Sequence, residues 1–195
     1  MKKFYLEKAS IKRKKEAIEY IQEFYLYNSK INGDGGLSKM LDDYEGWLIT
    51  LDESLDDEKR PKDRCPCEEY FLICEDDDSL VGMINLRWNL NENLLMHGGH
   101  IGYSIRPTKR RLGYNKINLY LCLLKAQEKN IKKVLLTAYK DNIGSVKTIL
   151  ALGGKLENEI ETEKGILGRY WISVDEEIEK IKKERGDLAE QSNRG

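Results

Sequence analysis

The stretch from Gly98 to Gly154 constrains this chain most, because its apolar residues switch from strand to helix spacing and back, twice over. Residues 98–106 alternate as a strand and stop at Pro107, which has no N–H to give a ladder. Residues 113–129 set Tyr114, Ile117, Tyr120, Leu121 and Leu124 at helical spacing. Residues 134–138 form a short buried strand. Asp141 or Asn142 then caps a helix carrying Ile143, Val146 and Leu150, which Gly153-Gly154 ends. This order excludes an all-helical or an all-strand domain. It predicts an α/β (α+β mixed) fold with a mixed sheet, not a doubly wound parallel one.

The flanks agree. Residues 3–9 read as a strand. Residues 13–27 read as an amphipathic helix, with Ala17, Ile21 and Phe24 in one stripe widened by Ile18 and Tyr25. Glycines in residues 32–36 break it. Residues 37–51 read as a second helix, with Met40, Leu41, Tyr44, Leu48 and Leu51 apolar, and residues 52–66 as a charged surface loop. Residues 70–74 and 80–88 make a hairpin around a polar turn, followed by a loop over 89–96. Residues 155–160 and 166–174 are two more strands. Residues 175–195 are a charged helix that frays into a polar tail.

With 195 residues the chain suits one domain, residues 1–175, with residues 176–195 as an appendage whose removal should leave folding nearly intact. The tail reads as a solvated helix; a homodimer contact is its second reading. The 33 basic and 34 acidic residues give a net charge of −1, which argues against a nucleic-acid-binding domain. No apolar run approaches the roughly 20 residues of a membrane span. Glu7, Lys8, Lys12 and Arg13 interrupt any leader, so a cytoplasmic protein is expected. Cys65-Pro66-Cys67 lacks zinc spacing and reads as two reduced thiols. Asp76-Asp77-Asp78 lacks the spaced oxygens of a calcium loop and reads as a solvated turn. No metal is expected.

Chemistry concentrates in residues 105–115, between a strand end and a helix start. Arg110 and Arg111 bring positive charge, Gly113 lets backbone approach a ligand, and the helix offers unpaired N–H groups. That is an anion cradle suited to a pyrophosphate. A solvated basic loop would use the same residues.

Here the sequence resembles the GNAT N-acetyltransferase superfamily. Its pyrophosphate loop, Arg/Gln-x-x-Gly-x-Gly/Ala, stands here as Arg110-Arg111-Leu112-Gly113-Tyr114-Asn115. Its later helix starts with Asn, as in Asn142-Ile143-Gly144-Ser145, and ends in Gly-Phe in many members, where Gly153-Gly154 stands here. The specific resemblance covers residues 98–154 and the order of elements residues 3–174. It implies a central mixed, mostly antiparallel sheet with splayed central strands, flanked by helices. It implies acetyl-CoA as cosubstrate and an amine acceptor, small molecule or protein, that attacks the thioester directly. The amides of Arg111, Leu112, Gly113, Tyr114 and Asn115, with Arg110, would hold the pyrophosphate. Ser104, Ile105 and Arg106 would pair with the pantetheine arm. Asn142 would meet the thiol end, with Ser145 in the same helix turn.

Two departures stand out. Asn115 replaces Gly or Ala and would crowd the pyrophosphate. Ile149 stands seven residues after Asn142, where many members carry a Tyr general acid, so that acid is absent; Tyr139 and Tyr170 are substitutes to test. They suggest the alternative of a non-catalytic acyl-CoA-binding module. An unrelated α/β domain binding another phosphate is a third reading. His100, where similar members often carry Glu, is the candidate base, against a structural hydrogen-bonded His. His97 reads as solvated. Trp88, Trp171 and Tyr170 read as core or pocket wall. Arg87 and Arg169 read as exposed strand arginines, able to meet an acidic group on a substrate.

Overall fold

Two antiparallel sheets meet at a single point. In the computed structural model, which describes residues 2–185, β1 (Phe4–Lys8), β2 (Cys67–Cys74), β3 (Ser79–Arg87) and β4 (Ile101–Ile105) form one sheet in that order. The strands β5 (Lys133–Tyr139), β6 (Lys155–Thr162) and β7 (Gly165–Ser173) form the other, in the order β5-β7-β6. All their ladders are antiparallel. Between β4 and β5 there is only a bridge from Gly99 to Leu136, reinforced by the His100 N–H on Leu135 O at 2.7 Å. Beyond it the strands part, giving the splayed central pair expected.

Helices cover both faces. α1 (Lys14–Leu26) and α2 (Tyr44–Leu55) pack Tyr20, Phe24, Tyr44 and Trp47 on Phe71, Ile73 and Met83. α4 (Tyr114–Glu128), α5 (Ile143–Ala151) and α6 (Val174–Arg185) pack on Ile84, Leu86, Val134 and Leu136 of the opposite face. β3 is therefore buried on both sides. Its alternation marks which helix layer each residue meets, not core against solvent.

Four expectations change. The loop over 89–96 contains α3 (Glu92–His97), capped by the Asn91 side chain, which accepts from Leu94 N–H at 2.9 Å. Asn91 N–H is itself held by the buried Cys65 Sγ at 3.1 Å, a partner distant in sequence. The helix over 37–51 is a short 3-10 turn, Leu37–Lys39, followed by α2, which starts one residue after the Asp43 cap. The inward face of α4 adds Leu119, Cys122, Leu123 and Ala126 to the expected Tyr120 and Leu121, with Tyr114, Ile117 and Leu124 packed at its edge, so it is wider than its spacing suggested. Finally, the described part of the tail is no solvated appendage: Ile178 and Ile181 are buried in the main core, and α6 lies on α4. Removing residues 176–185 would expose that core, so the expected tolerance of deletion is withdrawn. Residues 186–195 lie outside the described residues.

Candidate functional site

The loop after β4 builds a helix N-terminus open to ligand. Pro107–Lys109 form a 3-10 turn, Arg111 takes a left-handed conformation (φ 63°), and Gly113 caps α4 at φ 81°. A Cβ at Gly113 would meet nothing within 4 Å. Its glycine answers the left-handed backbone and leaves free space in front of the first N–H groups of α4. Arg111 and Leu112 are exposed there.

Arg110 is aimed elsewhere. Its Nε donates to Ile105 O at 3.1 Å, its Nη2 to Ser29 Oγ at 2.8 Å, and its guanidinium lies over the Phe24 ring. It ties the loop to the end of α1 instead of reaching forward. Glu23 adds a second tie, accepting from the N–H and hydroxyl of Thr108 and pairing with Arg106 at 3.3 Å. Asn115 is turned toward α5. Its Nδ2 turns to Thr148 Oγ1 on α5 at 3.5 Å, and its Oδ1 is buried without a partner.

Inside the gap, strand alternation sorts the residues. Arg106 N–H donates to Val81 O, so the backbone groups of Arg106 and Ser104 face β3, and those of Tyr103 and Ile105 face the gap. Ile105 O is already taken by Arg110. The Ser104 hydroxyl is 2.9 Å from Tyr20 Oη and is committed to α1. Tyr103 carries its hydroxyl across to Ser145 Oγ, 2.8 Å away on α5. Burial pushes that phenol up to about 12. Asn142 Oδ1 caps α5 by accepting from Ser145 N–H, which leaves its NH2 group for any other partner. Ile149 is fully buried in the core, and Tyr170 is buried there too.

On the α1–α2 face, His100 sits at the bridge. Its Nδ1 accepts from Leu135 N–H at 2.9 Å, and burial, then the charge of Arg87, lowers it to about 4. The neutral ring therefore carries its proton on Nε2 and presents a donor, with its one lone pair occupied. That geometry does not suit a general base. Trp171 lies against the ring, 5.9 Å between centroids. His97 ends α3 with its side chain exposed. Neither arginine is the exposed strand residue expected: Arg169 is buried and paired with Glu157, and Arg87 is half-buried. A polar chain runs across the strands from Glu69 to Asn85 (2.9 Å), then to Arg87 (2.7 Å) and Gly99 O (3.3 Å). Gly33 and Gly35, both at positive φ, press their backbone onto Gly102 and the Glu69 carboxyl group. Sequence reading missed Glu69, Asn85 and Tyr103. The available signal was Asn85 and Arg87, two polar residues two apart in an otherwise apolar strand.

Among the described residues, no group of three or more His, Cys, Asp or Glu is placed to hold a metal ion, and no helix is long and apolar enough to cross a membrane.

A sheet split beside a glycine-capped helix N-terminus is the arrangement that the GNAT resemblance implied. The chain belongs to the acetyltransferase (GNAT) family, which matches it over residues 37–153. No curated protein matches it. Among solved structures, the ribosomal-protein-S5-alanine acetyltransferase from Vibrio fischeri has 11% identity, a TM-score of 0.64, and covers 90% of this chain and 95% of its own. Dodecameric spermidine N-acetyltransferase from Vibrio cholerae has 13% identity, a TM-score of 0.65, and coverage of 91% and 98%. The microcin C7 self-immunity acetyltransferase, in complex with acetyl-CoA and AMP, has 14% identity, a TM-score of 0.61, and coverage of 88% and 92%. At these identities the likeness is one of fold.

Proposed function

We propose that the chain is an acetyl-CoA-dependent N-acetyltransferase acting on a primary amine, small molecule or protein, in a ternary complex. The observation that carries this is the gap between β4 and β5, open at one end onto the free N-terminus of α4. The N–H groups of Leu112 to Asn115 would hold the pyrophosphate, with Arg111 adding charge and Arg110 fixing the loop. The backbone of Tyr103 and the Ile105 N–H would pair with the pantetheine arm. The amine nitrogen attacks the thioester carbonyl; the C–N bond forms and the C–S bond breaks. The amine proton leaves to water, the departing thiolate takes one from Tyr103, which holds its proton at neutral pH, and the phenolate regains a proton from water to close the cycle. Tyr103 thus replaces the acid missing at Ile149. His100 supplies a neutral N–H at the seam. The same proposal sets the enzyme in a reducing cytoplasm, consistent with four free cysteines.

Calorimetry tests the cofactor. Gly113→Asp puts a side chain at φ 81° and a negative charge before the helix, and should weaken acetyl-CoA more than tenfold, about 1.4 kcal/mol. Unchanged affinity in the folded variant would sink the pyrophosphate assignment. Tyr103→Phe separates enzyme from binding module. It should lower kcat at least tenfold, within the roughly 10²–10⁴ range of such groups, while acetyl-CoA still binds. Thiol release that no amine accelerates would favour the non-catalytic module.

A further inference from the structure

Arg87 ends β3, and its guanidinium reaches across to β4. Nε and Nη1 are held by Asn85 Oδ1 and Gly99 O. Nη2 has no hydrogen-bond partner among the described residues and faces Gly102, where a Cβ would sit 3.0 Å from it. No carboxylate oxygen lies within 4.0 Å of the group among the described residues, whereas Arg13, Arg106 and Arg169 each meet one. The carboxyl group reached through Asn85 is Glu69, which burial pushes well above its ordinary value. It is a poor counter-ion, and Asn85 holds it away.

A half-buried cation with an unpartnered Nη2 and no carboxylate within 4.0 Å among the described residues is placed to take an anionic ligand. The spot is informative. Arg87 shares a strand face with Asn85 and Met83, the face covered by α1 and α2. His100 is the cross-strand neighbour of Arg87, whose backbone N–H donates to His100 O at 2.8 Å, so the two side chains lie on one face of the sheet. We infer that Arg87 and His100 form a subsite for an anionic group, carboxylate or phosphate, carried by the acceptor amine close to its reacting nitrogen. The N–H donors left on Nη2, together with the Nε2–H of His100, suit either oxyanion. This inference rests on the acetyltransferase reading and narrows its substrate class.

The test uses paired acceptors that differ in the anion alone: an α-amino acid against its amide, and aminoethyl phosphate against ethanolamine. In the wild type the anionic member of at least one pair should have the higher kcat/KM by more than tenfold. Arg87→Met should bring that ratio close to one, and Arg87→Lys should restore part of it. Equal rates within both pairs in the wild type overturn the proposal, as does a ratio that survives in Arg87→Met. A binding arm needs no turnover. Inorganic phosphate should shift the His100 imidazole NMR signals and raise its titration midpoint in the wild type, and should do neither in Arg87→Met. If Arg87→Met does not fold, Arg87→Lys carries both arms: an unchanged ratio together with unchanged phosphate shifts overturns the subsite. Failure of acetyl-CoA to bind by calorimetry would sink the acetyltransferase reading, and the phosphate shifts at His100 would still decide the anion site.

Discussion

Arg13 and Arg87 are both withdrawn from solvent, and they keep opposite company. Arg13, almost fully buried, binds Glu7, Glu16 and Asp78, joining the start of α1 to β1 and to the β2–β3 turn. Those hydrogen bonds hold its charge firmly in place. Arg87 has a side-chain amide, a backbone carbonyl and, among the described residues, no carboxylate within 4.0 Å. Burial works against its charge. A cation saturated by its own chain is a structural tie, and a cation left short of an anion marks a place for something else.

The comparison breaks first at Arg13. Arg13→Ala strands its acidic partners and removes a link between elements far apart in sequence, so it should cost about 3 kcal/mol, the lower end for breaking a buried pair. Urea unfolding measures it; a loss below about 1 kcal/mol would mean the cluster is solvated and adds little.

The next effect belongs to the Arg87 side. His100 drops from 6.5 to about 4 on folding. Between those values the unfolded chain binds a proton at this ring that the folded chain refuses, so the contribution of His100 to stability falls as pH falls from 6.5 toward 4 and levels off below. After allowance for a partly exposed ring, the loss should be about 2 kcal/mol. His100→Asn, whose Oδ1 can still accept from Leu135 N–H, should remove most of that slope. The same variant should leave any acidic limb of kcat/KM near pH 6.5 in place, because a ring already neutral there cannot cause it. A limb lost with the imidazole would return His100 to the role of base.

The smallest effect sharpens the contrast. Arg87→Met deletes a costly charge and one good hydrogen bond together, so stability should change by no more than about 1 kcal/mol. A loss matching that of Arg13→Ala would make Arg87 a structural tie as well.

Much of this was legible in one dimension. Pro107, Gly113 and Asn142 act through local backbone chemistry: a missing N–H, a left-handed φ and a helix cap. Residues with local roles can be read from neighbours in sequence, which is why the loop, the helix start and the Asn-capped helix were placed correctly. Charge near a loop does not reveal where it points. Arg110 turned back to Ser29 and Phe24, and Asn115 turned to Thr148, because α1 and α5 offered partners that no local pattern announces.

The tail teaches the same lesson from the core. Ile178 and Ile181 stand among charged residues, and a short stripe on a polar helix reads as solvated. They are buried because α4 leaves a surface beside them for α6 to cover. The sequence by itself determined the order of elements, the split of helices and strands, and the glycine-opened helix start. Each follows from apolar periodicity and backbone preference within about ten residues. The tertiary structure alone decided that His100 accepts from Leu135 N–H at the seam, that Tyr103 bridges to Ser145, and that Arg87 has no carboxylate partner among the described residues. Those facts depend on which strands lie side by side: register brings residues 69, 85, 87 and 100 to one face of the sheet and residue 103 to the other only once the chain has folded.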